Sequence, residues 1–229
     1  MARWFEKSLM LVFAAMILGA CQTTAGPSGF LTSYDGFRPG PKGGVDRIWT
    51  PPTVTSPAAF QASIRGYDKV MLDRIWVSLA NKEAYDGVDP EEIQALALDF
   101  RQEIITALGN RYPLVTEPGP GVMRISIGLT GIESPSRILA TTSTLLPVGL
   151  GISTVSRMVT GEHTNVGSAS LEMVAADAVS GKALFAAIDR RAGSKDLKKI
   201  LDPTSDAKKA FKWWAGRLRQ TLDAARHSG

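Results

Sequence analysis

The chain has 229 residues, with 26 Lys or Arg against 22 Asp or Glu and a formal net charge of +4. That length supports one domain of moderate size with a real hydrophobic core. One Cys excludes an internal disulfide, and two His leave no spacing that supports a zinc site of three or four ligands.

The chain opens on a basic stretch carrying Arg3 and Lys7, followed by an apolar run from Ser8 to Ala20 of 13 residues. A membrane-spanning helix needs about 20 apolar residues, so this pattern predicts an export signal rather than a span. The tetrad Leu18-Gly19-Ala20-Cys21 resembles the lipobox of bacterial lipoproteins. The resemblance implies a diacylglyceryl group on the Cys21 thiol, cleavage just before it, and acylation of the new N-terminus. An ordinary signal peptide would instead leave an unpaired thiol in an oxidising compartment, a liability. Several acyl chains anchor firmly, at about 0.8 kcal/mol per buried CH2. Gln22 stands where, by the same resemblance, an Asp would favour inner-membrane retention. The expectation is therefore an outer-membrane anchor with the domain facing the periplasm.

The signal peptide is expected over 1–20, the lipidated Cys, tether and extended arm over 21–66, and one domain over 67–226. Charge is uneven: from Arg190 onward, eleven Lys or Arg face four Asp. That asymmetry favours an anionic partner near the C-terminus. Gln22 to Gly66 carries 13 Gly or Pro in 45 residues, which predicts extended chain without a helix of ordinary length. Phe30, Leu31, Tyr34, Phe37, Ile48 and Trp49 would staple this arm onto the domain surface.

Tyr67 to Leu79 reads as a strand. Asp89-Pro90-Glu91-Glu92 predicts a helix start, with Ile93, Leu96, Ala97, Phe100, Ile104 and Leu108 on one face and Gly109-Asn110 as the stop. Tyr112–Thr116 and Val122–Ile132 read as strands joined by EPGPG. His163–Val179 and Lys182–Arg190 read as a hairpin turning at Ser180-Gly181. Thr204 or Ser205 caps a final helix to about Arg226, with the stripe Ala207, Phe211, Trp214, Leu218, Leu222 and Ala225. The order of strand, helix, four strands and helix predicts an α+β fold. Its mainly antiparallel sheet would have about four or five strands with two main helices packed on one face, preceded by the signal peptide and arm.

Seven stretches, GFLTSYDGFRPGPKGG, YDKVMLDRIWV, DPEEIQALALDFRQEI, EPGPGVMRISIGLTGI, LLPVGLGISTVSRMVTG, DRRAGS and AFKWWAGRLRQTL, run in order from Gly29 to about Leu222. Together they resemble the bacterial lipoprotein family known as "domain of unknown function 3313". Where that family often carries Asp-Pro-Val, this chain has Asp73-Arg74-Ile75, a change expected to leave the fold intact. The resemblance implies a location and an architecture, and no activity.

Chemistry-bearing residues are sparse. A Ser-His-Asp triad would rest on His163, since His227 lies at a fraying terminus. EPGPG and TGIESP lack the Lys and helix start that cradle phosphate. Asp68, Asp73, Glu83 and Asp86 read as strand and loop decoration. Two surfaces remain. The segment 137–160 contains 19 uncharged residues, Ile138 to Ser156, broken at Pro147, Gly149 and Gly151. It would either fold over the sheet or, through Leu145, Leu146, Val148, Leu150 and Ile152, meet a membrane or another subunit. On the final helix, Lys208, Lys212, Arg219 and Arg226 line up beside the apolar stripe, with Trp213 turned away. They would either be a solvated face or contact an anionic surface. Asp189-Arg190-Arg191 would join that surface or pair with local carboxylates.

The expected function is that of a lipid-anchored, non-catalytic cell-envelope lipoprotein, a binding or assembly factor in the periplasm. An oligomer whose segment 137–160 contacts or enters a membrane is the second reading, and an envelope hydrolase the third. Expected partners are the membrane, through the lipid, and an envelope protein or anionic envelope polymer. No nucleic acid, metal or cofactor is expected.

Overall fold

A computed structural model describes residues 28–79, 89–132, 169–192 and 206–227. Among them, seven strands form one mixed sheet: β1 (Arg38–Pro39), β2 (Arg47–Trp49), β3 (Lys69–Leu72), β4 (Trp76–Leu79), β5 (Val122–Ile132), β6 (Ala169–Asp177) and β7 (Ala183–Ala192). Three α-helices accompany them: α1 (Pro57–Ile64), α2 (Pro90–Leu108) and α3 (Asp206–His227). The sheet order is β1-β2-β7-β6-β5-β3, with β4 also paired to β5. The fold is α+β.

Two regimes meet at β5. From β5 through β6, β7 and β2 to β1 every pairing is antiparallel, whereas β3 and β4 run parallel to β5. The parallel pairing follows from α2, which lies between β4 and β5 in the chain and carries it back to the same end of the sheet. The start of α2 is built as its residues dictate. Asp89 Oδ1 accepts from Glu91 N at 2.9 Å, and Pro90 occupies the first turn. At the other end Gly109 takes φ +53°, a conformation that side chains resist.

Three expectations need correction. The Gly/Pro-rich arm does more than dock on a surface: it supplies β1, β2 and α1. Residues 47–49 of β2 pair antiparallel with Ala186–Ile188 of β7. α1 survives because its Pro stands at the first turn, where a missing N–H costs nothing, and Ser56 Oγ accepts from Ala59 N at 3.1 Å. The single strand expected over 67–79 is two, broken at Asp73–Ile75. There the Asp73 carboxylate accepts from Arg124 Nε at 2.9 Å and from Ser126 Oγ at 2.5 Å. Tyr112–Thr116 is no strand and contributes one bridge, between Val70 and Leu114. His227 is the exposed last residue of α3, with Nδ1 2.7 Å from Asp223 O. The sheet is thus wider than foreseen and partly parallel. The hairpin turn is as expected, with Gly181 at φ +69°, although residues 163–168 lie outside the described chain.

Both sheet faces are covered, so the central strands are apolar on both sides. On one face Leu171, Met173 and Ala175 of β6 and Ile125, Ile127 and Leu129 of β5 pack under the helices. Phe100 of α2 stacks on Phe211 of α3, with ring centroids 4.6 Å apart. On the other face Val174, Ala186 and Ile188 meet Phe30, Leu31 and Phe37 of the arm. Gly128 of β5 is required there, because a Cβ would lie 2.7 Å from the Phe30 ring.

Candidate functional site

A cavity of about 480 Å³ lies between the helix-covered face of the sheet and the arm. Its volume falls within the roughly 300–1,000 Å³ typical of small-molecule sites. Four parts of the chain build it. Strands β5, β6 and β7 contribute Ile127, Leu171, Met173, Phe185 and Ala187 from alternate positions, as a two-residue period requires. α2 adds Phe100 and Ile104, one turn apart on its buried face. α3 adds Trp214, Ala215, Leu218 and, toward solvent, Arg217 and Thr221. The arm and α1 close the rest, with Arg38, Ile48, Thr50 and Phe60.

The walls are fixed by two edge contacts. Phe60 packs edge-on against Phe185 with centroids 5.4 Å apart. Trp214 Nε1 donates to Asp189 Oδ2 at 2.6 Å. Asp189 is fully buried, and its other oxygen accepts from Asp46 N at 3.0 Å. Asp46 in turn accepts from Arg190 N at 3.1 Å through its own Oδ2. One carboxylate thereby holds an indole of the cavity wall and the arm loop together. The Asp189 carboxylate and the Arg190 backbone N–H thus tie the arm to β7.

Two cations reach the cavity. Arg38, on β1, is exposed and donates through Nη2 to the buried Thr50 Oγ1 at 3.0 Å. Arg217 lies with its guanidinium carbon 5.2 Å from the centre of the Trp213 ring. It donates through Nη2 to Gly43 O and through Nη1 to Gln220 Oε1 at 3.3 Å. Its Nε is buried and has no hydrogen-bond partner among the described residues. Among the described lining residues there is no Asp or Glu.

The opposite face carries a second buried carboxylate. Glu172 accepts from Tyr34 Oη at 2.6 Å, and Tyr34 Oη accepts from Gly29 N at 3.1 Å and Leu31 N at 3.3 Å. Burial raises the Glu172 carboxyl above its ordinary value despite the donors around it. Burial and the neighbouring carboxylate push the Tyr34 phenol upward as well.

The expected basic face of the final helix is largely engaged in packing. Arg219 turns to the end of α2, where Nη1 donates to Ala107 O at 2.9 Å and Leu108 O at 2.8 Å, carbonyls a helix end leaves without partners. Its Nε donates to Asp223 at 2.7 Å. Burial would raise the Asp223 carboxyl, but the bonds from Arg219 and Tyr112 and the charges of Arg219 and Arg111 hold it below its usual value. Lys208 pairs with Asp99 of α2. Trp213, expected to point away, is half-buried against the helix-side core. Arg226 lies over the Tyr112 ring at 4.9 Å. Lys212 alone of the four named residues is exposed. Leu18, Gly19, Ala20, Cys21 and Gln22, and likewise Leu145, Leu146, Val148, Leu150 and Ile152, lie outside the described residues.

Sequence reasoning passed over Arg38 and Arg217 as site residues, and named Asp189 only as a member of a basic surface. A signal for Asp189 was present, since alternation from Phe185 through Ala187 places it on the core face. Nothing local marks the cavity, whose walls come from residues 38 to 221 of the chain. Among the described residues no helix is long and apolar enough to cross a membrane, and no group of three His, Cys, Asp or Glu is placed to hold a metal.

Fold and site together define an α+β domain with an apolar cavity between its sheet, its helices and an N-terminal arm. The chain belongs to the family described as "Protein of unknown function (DUF3313)", whose profile matches residues 26–218. That span includes the arm strands and every wall of the cavity except Thr221. No curated protein and no solved structure matches the chain.

Proposed function

We propose that this protein is a lipid-anchored, non-catalytic lipoprotein of the cell envelope that acts in the periplasm as a binding factor, with the cavity as its binding site. One observation carries the binding role: a 480 Å³ space walled by Phe60, Phe100, Ile127, Met173 and Phe185. Native interiors leave few voids of this size, and an apolar one is a place for an apolar ligand. The anchoring part rests on the Leu18-Gly19-Ala20-Cys21 pattern. It places the binding site within a short tether of a membrane, where apolar ligands are concentrated.

The test has two arms. Feeding cells a radiolabelled fatty acid should label the wild-type protein and leave Cys21→Ser unlabelled; an unlabelled wild type would remove the anchor. For the cavity, Ala187→Leu adds volume to its wall. Binding of hexadecanol, followed by native mass spectrometry of the full chain released from non-ionic detergent, should fall at least about fivefold in that variant. Equal binding by the filled variant would remove the cavity from the account.

A further inference from the structure

Resting on the cavity as a binding site, we infer that its ligand is a single-chain fatty-acid-like molecule whose carboxylate is held by Arg217 and Arg38. Arg217 carries the argument. Its Nη2 is engaged by Gly43 O, and Nη1 reaches Gln220 Oε1 at the longer distance of 3.3 Å. The Trp213 ring beneath fixes the guanidinium plane. Each Nη uses one hydrogen in these bonds and keeps one, and a guanidinium donates such a pair in parallel to the two oxygens of a carboxylate, the fork geometry of an Arg–carboxylate pair.

Arg38 supplies the second positive charge at the same cavity. One of its nitrogens is anchored on Thr50, so the guanidinium is positioned while its other donors remain available. Neither Arg forms an ion pair among the described residues, and no carboxylate lines the cavity there. A neutral ligand would leave this charge uncompensated as it displaces water from the mouth, while an anionic head supplies the missing partner. The remaining walls are aromatic and aliphatic, so the rest of the ligand is an apolar chain.

The experiment compares three probes of equal chain length on the full-length protein by native mass spectrometry from non-ionic detergent: hexadecanoate, hexadecanol and hexadecyl phosphate. Wild type should bind hexadecanoate about tenfold or more tightly than hexadecanol, the increment of one charge-assisted bond, and more tightly than hexadecyl phosphate. Arg217→Met keeps the apolar stem and removes the fork. It should lose that preference while hexadecanol binds within about twofold of wild type, which also reports that the cavity is intact. Arg217→Lys should recover part of the preference, since charge returns without the fork, and Arg38→Met should lose a smaller part.

Equal affinity for hexadecanoate and hexadecanol in wild type would overturn the inference and leave the binding cavity standing. So would a preference that survives Arg38→Met and Arg217→Met together, or a tighter hexadecyl phosphate complex. Failure of wild type to bind any of the three, with no effect of Ala187→Leu, would overturn both the inference and the proposed site.

Discussion

The two faces of the sheet use the same device and reach different results. On the arm side, Glu172 is buried and receives the Tyr34 hydroxyl, while Phe30 presses so closely on β5 that only Gly fits at 128. On the helix side, Asp189 is buried and receives the Trp214 indole, yet the walls around that indole stand apart and enclose a cavity. In both places a carboxylate on β6 or β7 fixes an aromatic ring and takes part in hydrogen bonding with the N-terminal arm. Close packing on one face makes the arm part of the fold. Open packing on the other leaves room for a ligand under the same arm.

The largest effect expected is from Asp189→Ala. It leaves the Trp214 and Asp46 donors without an acceptor, at about 1–3 kcal/mol for each group left unsatisfied. Urea denaturation should show a loss near 3 kcal/mol, and Asp189→Asn should be destabilised as well, because its single oxygen serves one of the two N–H donors and its amide nitrogen faces the other. An alanine variant as stable as wild type would break the parallel between the two faces.

Next in size is Gly128→Ala, whose new methyl meets the Phe30 ring at 2.7 Å. Overpacking of this kind costs about 1–3 kcal/mol. The decisive measurement is a double-mutant cycle with Phe30→Ala. In that background Gly128→Ala should cost little, giving a coupling of about 1 kcal/mol or more. Additive losses would show that the arm does not press on β5 there.

A smaller contrast separates the two residues expected to form one basic face. Arg219→Met should cost about 1–2 kcal/mol, because the α2 carbonyls and Asp223 lose their donor. Lys212→Met, on an exposed position, should stay within about 0.5 kcal/mol of wild type. Equal losses would argue for a shared surface role.

The smallest effect concerns pH. A carboxyl whose folded value is raised binds its proton more tightly in the folded state. Stability therefore falls as pH rises from the unfolded Glu value, about 4.3, to the raised folded value of Glu172, and is level above it. Glu172→Gln keeps an acceptor for Tyr34 and has no proton to lose. Its stability should be flatter than wild type across that window, and higher relative to wild type at neutral pH than at pH 4. Parallel curves would mean that Glu172 does not titrate differently on folding.

Much of this architecture is written locally. The α2 cap at Asp89-Pro90, its stripe from Ile93 to Leu108, the span of β5 and the Ser180-Gly181 turn are all short-range signals, and each stands where periodicity and turn chemistry put it. The arm is different. Its Gly and Pro residues read as linker because β1 and β2 are only two and three residues long, with β2 held by pairing to β7, some 140 residues away, and β1 by pairing to β2. The break at Asp73 likewise depends on Arg124 and Ser126, which local propensity cannot see. The cavity is the extreme case. Arg38 and Arg217 are unremarkable basic residues in the sequence, and only the closing of β2 on β7 brings both to one space. Asp189 was the legible exception, a carboxylate at a core position of an alternating strand.

The most direct test of the central claim uses the cavity's own indole. Hexadecanoate brominated near its carboxylate end quenches a tryptophan it touches, and Trp214 forms part of the wall. Titration of the full-length protein should produce saturable quenching that is reduced in Trp214→Phe, with Trp213 beside Arg217 giving the remainder, and weakened about tenfold in Arg217→Met. Quenching of equal size and midpoint in all three proteins would contradict a ligand seated beside Trp214 under Arg217.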